Sequence, residues 1–138
     1  MVKNYKRSRF NAKQPDRQQF PILVAKGVTF SLVVSILITI LLALAHFLLD
    51  NSFIEHYLQY IIVAITIVSI FLGSAYSAHQ SGSRAIPLGV AIGIVYVILS
   101  AAIAMEVNNE TISVMVLANK VGAGIAVGAL GGLVGVNL

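Results

Sequence analysis

Three long stretches without Asp, Glu, Lys or Arg, and a fourth with a single lysine, constrain the fold of this chain more than any other feature. The first three cover residues 28–49, 57–76 and 85–105. The fourth covers residues 112–136 and is interrupted only by Ser113, Asn119 and Lys120. As a helix, the first stretch would be about 33 Å long, which is enough to cross the hydrocarbon core of a bilayer. Each of the others is about as long as one crossing requires.

A soluble fold does not account for these stretches. The first is rich in β-branched residues, but it shows no alternation of period two, and strands of such length are foreign to small domains. In lipid, a spanning segment must satisfy its own backbone hydrogen bonds, which helices do. The composition, with 58% hydrophobic and 10% charged residues, also lies far from soluble usage.

The sequence therefore predicts an all-α membrane protein with four transmembrane helices, at about residues 27–49, 57–77, 85–105 and 114–136. A basic tail, residues 1–20, precedes this transmembrane domain, residues 21–138. A cleaved signal peptide is the alternative for the first stretch, because basic residues precede it and Ala43-Leu44-Ala45 resembles a cleavage site. The stretch is too long for a signal peptide, however, and continues to Leu49, which favours a membrane span.

Small residues recur at every fourth position in the predicted spans. In hydrocarbon, apolar side chains gain little by leaving lipid, so helices associate where small residues let their backbones approach closely. This pattern predicts a compact antiparallel bundle, with one small-residue face that could also serve oligomerisation. The predicted packing positions are Gly27, Ser31, Ser35, Gly73, Gly89, Gly93, Gly124, Gly128, Gly131, Gly132 and Gly135.

The distribution of basic residues predicts the orientation. Basic residues are concentrated before the first span and in the loop between spans two and three, whereas the other two loops have no Lys or Arg. By the positive-inside rule, both termini are expected in the cytoplasm. The tail is also expected to bind anionic lipid headgroups, and no motif in it suggests nucleic-acid binding. These topology residues are Lys3, Lys6, Arg7, Arg9, Lys13, Arg17, Lys26 and Arg84.

Three segments carry a resemblance to a known family: AKGVTFSLVVSILITILLALA, SGSRAIPLGVAIGIVYVIL and the ending ALGGLVGVNL. Together they resemble an uncharacterised family of small four-span membrane proteins of Gram-positive bacteria, a domain of unknown function. The most specific part is a Gly-Gly-x-x-Gly-Val-Asn motif, formed here by Gly131, Gly132, Gly135, Val136 and Asn137. The resemblance implies a bacterial cytoplasmic membrane protein and supplies no catalytic or ligand residues.

Lys120 is the one residue among Asp, Glu, Lys and Arg that lies within a predicted span. Charged groups at membrane depth are costly and often functional. In one interpretation the long side chain of Lys120 reaches the headgroups, and the spanning segment begins near residue 121. In the other, Lys120 and Asn119 face a water-accessible cavity and bind an anion.

A cluster of polar residues flanks the first loop: His46, Asp50, Glu55 and His56. Imidazole and carboxylate groups could bind a divalent metal or respond to pH. Their spacing matches no zinc motif, so they are interpreted as interfacial residues at helix ends.

The sequence contains no nucleophile elbow, phosphate-binding loop, HExxH motif or cysteine. We therefore expect neither enzymatic activity nor a cofactor. The leading hypothesis is a packing or accessory subunit of the cytoplasmic membrane, associating with itself or with a larger membrane protein. The alternative is a small oligomeric transporter or channel with Lys120 and Asn119 near its pathway.

Overall fold

The computed structural model describes residues 19–49, 52–82, 84–109 and 111–138. These residues form four helices: α1 (Gln19–Leu49), α2 (Ser52–Ser81), α3 (Ala85–Asn108) and α4 (Val114–Asn137). All four are long and apolar enough to cross a membrane. The predicted fold class, a helical membrane protein with four spanning segments, is confirmed. Most of the predicted basic tail and the residue Asp50 lie outside the described residues.

The helices extend beyond the predicted spans. Helix α1 begins at Gln19 rather than near residue 27, and includes Pro21 in its first turn, where a missing N–H costs nothing. Its 31 residues make a rod of about 46 Å, longer than a hydrocarbon core of about 30 Å. Helix α2 continues to Ser81 and is followed by Gly82 at φ 69°, the left-handed conformation that commonly ends a helix.

The chain runs up, down, up and down through the bundle. Helix α1 packs against α2 and α3, and α4 packs against the same two helices from the other side. Within the described residues α1 and α4 do not contact each other. We call the end of the bundle that holds Gln19, Ser81, Ala85 and Asn137 the near end. The far end holds Leu49, Ser52, Asn108 and Val114.

The buried residues of the bundle lie mostly in its near half. On α1 they stop at Ser31, and on α4 they begin only at Gly124. On α2 they run from Ser69 to Ser81, and on α3 from Ala85 to Ala101. The bundle is therefore closely packed towards the near end and more open towards the far end. Small residues permit the close packing, whereas the far part of α1 carries large exposed side chains such as Leu37 and Leu41.

Serine hydroxyls are buried between the helices without losing their hydrogen bonds. Ser31 Oγ donates to Gly27 O at 2.9 Å and Ser69 Oγ donates to Ile65 O at 2.7 Å, both within their own helix. Ser77 Oγ donates to Leu23 O at 3.0 Å and so links α2 to α1. Among the described residues, no buried side-chain nitrogen or oxygen lacks a partner. The described core thus contains buried hydroxyl groups among apolar residues and glycines, but has no unsatisfied group that would need water.

Candidate functional site

The tightest contact in the bundle joins α3 to α4. We define the glycine seam as Ala85, Gly89 and Gly93 on α3 together with Gly124, Gly128 and Gly132 on α4. A Cβ atom added at Gly89 would overlap the carbonyl oxygen of Gly128, and one added at Gly128 would overlap that of Gly89. A Cβ at Gly124 would lie 3.0 Å from Gly93 O. Backbone therefore touches backbone along the seam, where only hydrogen fits.

A second row of glycines on α4 packs against α2. A Cβ at Gly131 would lie 2.6 Å from the carbonyl oxygen of Phe71, and one at Gly135 would lie 2.7 Å from Ala75 Cα. Helix α4 thus places two of its faces directly on neighbouring backbones. This arrangement fixes α4 between α2 and α3.

A third close contact joins α1 to α2. A Cβ at Gly73 would overlap Ser31 Oγ and would lie 2.7 Å from Gly27 O. The aromatic rings of Phe30 and Tyr76 stack beside it, with centroids 4.6 Å apart. This contact holds the first half of α1 against α2. The buried residues of α1 lie in the same half of the helix.

The structure buries ten of the eleven predicted packing positions, and leaves Ser35 half-buried. It also buries Ser74, Ala75, Ala78 and Ser81 on α2, which sequence reasoning missed. Their spacing was the available clue, because Ser74 and Ala78, like Ser77 and Ser81, are separated by one helical repeat of four. Gly122 is exposed, and a Cβ there would meet nothing within 4 Å.

An apolar cleft opens between α2, α3 and α4 in the far half of the bundle. This Lys120 cleft has a volume of about 230 Å³ and is lined by aliphatic side chains, with Thr66, Ser100 and Lys120 as its polar members. Its lining includes Ile70 and Val97, which pack with Tyr96 into a buried cluster. The exposed fractions of these three residues are 1%, 3% and 3%. The cleft is therefore closed on the side that faces the near end.

A second cavity, a recess with both polar and apolar lining residues, also includes Lys120. It has a volume of about 260 Å³ and is formed by the end of α3, the loop and the start of α4. Its lining residues are Ala104, Asn108, Thr111, Ile112, Ser113, Val116 and Lys120. Ala104 and Lys120 line both cavities, whereas Asn119 lines neither, although Asn119 and Lys120 are both exposed. Lys120 thus reaches a cavity and its predicted companion does not.

The remaining predicted site residues are separated along the surface. Lys26 and Arg84 are exposed towards the near end, and His46, Glu55 and His56 are exposed towards the far end. The imidazole of His56 contacts the Tyr57 ring edge-on, with centroids 5.7 Å apart. In the part of the chain that the structure describes, no three His, Asp or Glu side chains form a group that could hold a metal ion.

Comparison with models of known protein families identifies the family of this chain. The model described as "Protein of unknown function (DUF3792)" matches residues 21–135. The chain belongs to this family. The resemblance to an uncharacterised domain is thereby confirmed, and the DUF3792 match extends over nearly all of the four helices. No curated protein and no solved structure matches the chain.

Proposed function

We propose that this DUF3792 chain is a non-enzymatic accessory subunit that acts by packing against another transmembrane helix in the membrane. The observation that carries the proposal is a row of small residues on α1 that α2 covers only in part. Gly27 and Ser31 lie against α2, Ser35 is half-buried, and Thr39 and Ala43 are exposed. The row continues beyond the point where the bundle covers it.

The position of α1 supports this proposal. In its most apolar window of eighteen residues, with a mean hydropathy of 2.8, none is buried within the bundle. Exposed aliphatic side chains alone would not attract a partner, because lipid solvates them equally well. An open row of small residues would, since it lets a second backbone approach. The hydroxyl of Thr39 already donates to Ser35 O at 2.8 Å, so an apolar neighbour is tolerated.

The transporter hypothesis has less support. The Lys120 cleft closes against Ile70, Tyr96 and Val97, and the glycine seam leaves no space between α3 and α4. The buried hydroxyls described above are bonded to backbone carbonyl oxygens and do not line a common cavity. A solute would therefore need a route that this packing does not provide.

Site-specific photocrosslinking in native membranes tests the proposal. A photoreactive residue at Thr39 is expected to yield a covalent adduct with a protein, because Thr39 belongs to the uncovered row. The same residue at Leu37, which is exposed on another face of α1, serves as the control and should yield mainly lipid adducts. The mass of the Thr39 adduct shows whether the partner is a second copy or a larger protein.

Two results together would refute the packing role. One is an adduct with lipid alone at both positions, with only monomer recovered from the membrane. The other is solute flux in liposomes that Lys120→Ala abolishes, which would restore the transporter hypothesis.

We also propose that the protein resides in the bacterial cytoplasmic membrane with its near end in the cytoplasm. The exposed residues Lys26 and Arg84 lie towards that end, whereas Glu55 and Glu106 lie towards the far end. Because the chain has no cysteine, single cysteines can serve as markers. A membrane-impermeant maleimide should label Thr111→Cys in intact cells, but Gln80→Cys only after permeabilisation. Labelling in the reverse order would invert the topology.

A further inference from the structure

Lys120 lines two cavities of different chemistry, an apolar cleft and a recess with a larger share of polar groups. We propose that together they bind one anionic phospholipid, with an acyl chain in the Lys120 cleft and the headgroup phosphate paired with the ammonium group of Lys120. The proposal does not depend on the packing role of the chain, because it concerns a different face of the bundle.

The walls of the cleft suit an acyl chain. Ile62, Val63 and Ile67 of α2 face Val97 of α3 and Val127 of α4 across it. Of its two hydroxyl-bearing residues, Thr66 and Ser100, the first already donates its hydroxyl to Ile62 O at 3.0 Å. A soluble anion would gain nothing from these aliphatic walls. A hydrocarbon chain, in contrast, would fill the space that remains between the helices in the far half.

The recess suits the headgroup. Lys120 lies about 9 Å along the axis from the first residue of α4. Side chains of a helix lean towards its N-terminus, which for α4 is the far end, so the long stem of Lys120 carries the ammonium group towards the recess. Asn108, Thr111 and Ser113 line the recess and supply further polar groups. The carboxylate-bearing Glu106 is exposed and lines neither cavity.

Charge complementarity distinguishes the lipid class. One basic residue near the membrane surface favours an anionic over a zwitterionic lipid by about fivefold. The ammonium group of Lys120 is the positive charge among the residues that line the two cavities. An anionic phospholipid is therefore the ligand that uses both the apolar walls and the charge.

Native mass spectrometry of the full chain released from detergent micelles tests the proposal. Phosphatidylglycerol and phosphatidylcholine with identical acyl chains are supplied at equal concentration, and the ratio of the one-lipid adducts is measured. Lys120→Gln should lower this ratio about fivefold, whereas Lys120→Arg should preserve it. The basic tail is present in every variant, so its own attraction for anionic lipid cancels in the comparison.

A charge-matched variant separates a specific site from general attraction. The double variant Lys120→Gln/Asn119→Lys keeps the net charge and moves it by one residue to a side chain that lines neither cavity. We expect its ratio to stay as low as that of Lys120→Gln. Full restoration of the ratio would overturn the proposal, because it would show that any nearby charge suffices.

The acyl-chain half of the site has its own test. Ala123→Phe places a bulky side chain among the residues that line the cleft and should reduce the adducts of both lipids. Ala126→Phe, at an exposed position of α4 that does not line the cleft, is the control and should bind as the wild type does. Equal binding by the two variants would overturn the proposal. So would displacement of the lipid by millimolar inorganic phosphate, which would identify a site for free anions instead.

Discussion

Replacing Gly128 with leucine is expected to lower the free energy of unfolding by about 3 kcal/mol, the upper end of the range for overpacked sites. A Cβ at this position would overlap the carbonyl oxygen of Gly89. Because the obstructing atom belongs to the backbone of α3, no rotamer change can move it away. The two helices must separate along the seam, and the contacts of both sides are lost. Unfolding by a denaturing detergent in mixed micelles, followed by circular dichroism, measures the loss.

Gly122→Leu is the matched control for this prediction. It makes the same change in the same helix, but a Cβ at Gly122 meets nothing within 4 Å. We expect its stability to stay within about 0.5 kcal/mol of the wild type, as for most surface substitutions. Equal effects of the two variants would mean that leucine disturbs α4 itself, and the seam would no longer explain the result.

The second large effect is expected at Gly73, where leucine should detach α1 from the bundle at a cost of about 2 to 3 kcal/mol. A Cβ at Gly73 would overlap Ser31 Oγ and crowd Gly27 O at 2.7 Å. Helix α1 has no contact with α4 in the described residues, so besides α2 only its packing against α3 holds it in place. The rest of the bundle should persist, because Gly131 and Gly135 hold α4 against α2 independently.

Paired cysteines can locate this loss, since the chain has none of its own. Gly73→Leu should reduce crosslinking between Phe30→Cys and Tyr76→Cys, whose wild-type rings stack at 4.6 Å. A pair at Val97 of α3 and Val121 of α4, which contribute to the same apolar cluster, should crosslink as before. Ala64→Leu, at an exposed position of α2, should leave both pairs unchanged. Loss of both pairs in Gly73→Leu would show that α1 is required for the whole bundle.

Much of the fold follows from the sequence because the membrane imposes a simple rule on it. A long uncharged stretch in lipid must be a helix, so the number of helices and their approximate positions were predictable. The helix ends were less predictable, because helical turns outside the hydrocarbon core can form backbone hydrogen bonds with water and need not be apolar. Helix α1 accordingly begins at Gln19, eight residues ahead of the start predicted near residue 27.

The contacts between helices were predictable only in part. The rows of glycine indicated which positions could approach a neighbouring helix. They did not indicate which helix that neighbour would be. That Gly128 meets Gly89, while Gly131 meets Phe71, depends on how α4 is rotated about its axis. The hypothesis from the sequence likewise placed Asn119 and Lys120 in one site, although adjacent residues of a helix project about 100° apart. Only Lys120 lines the cavities.

The glycine seam also has a thermodynamic consequence. A side chain that becomes fixed on folding loses rotamer entropy, and glycine has none to lose. The junction of α3 and α4 therefore gains its van der Waals contact without that penalty, while the leucines and isoleucines of the far half keep their freedom among mobile lipid chains. One polypeptide thus combines a stiff near half with a softer far half. Side-chain relaxation should therefore differ between the two halves of the same four helices.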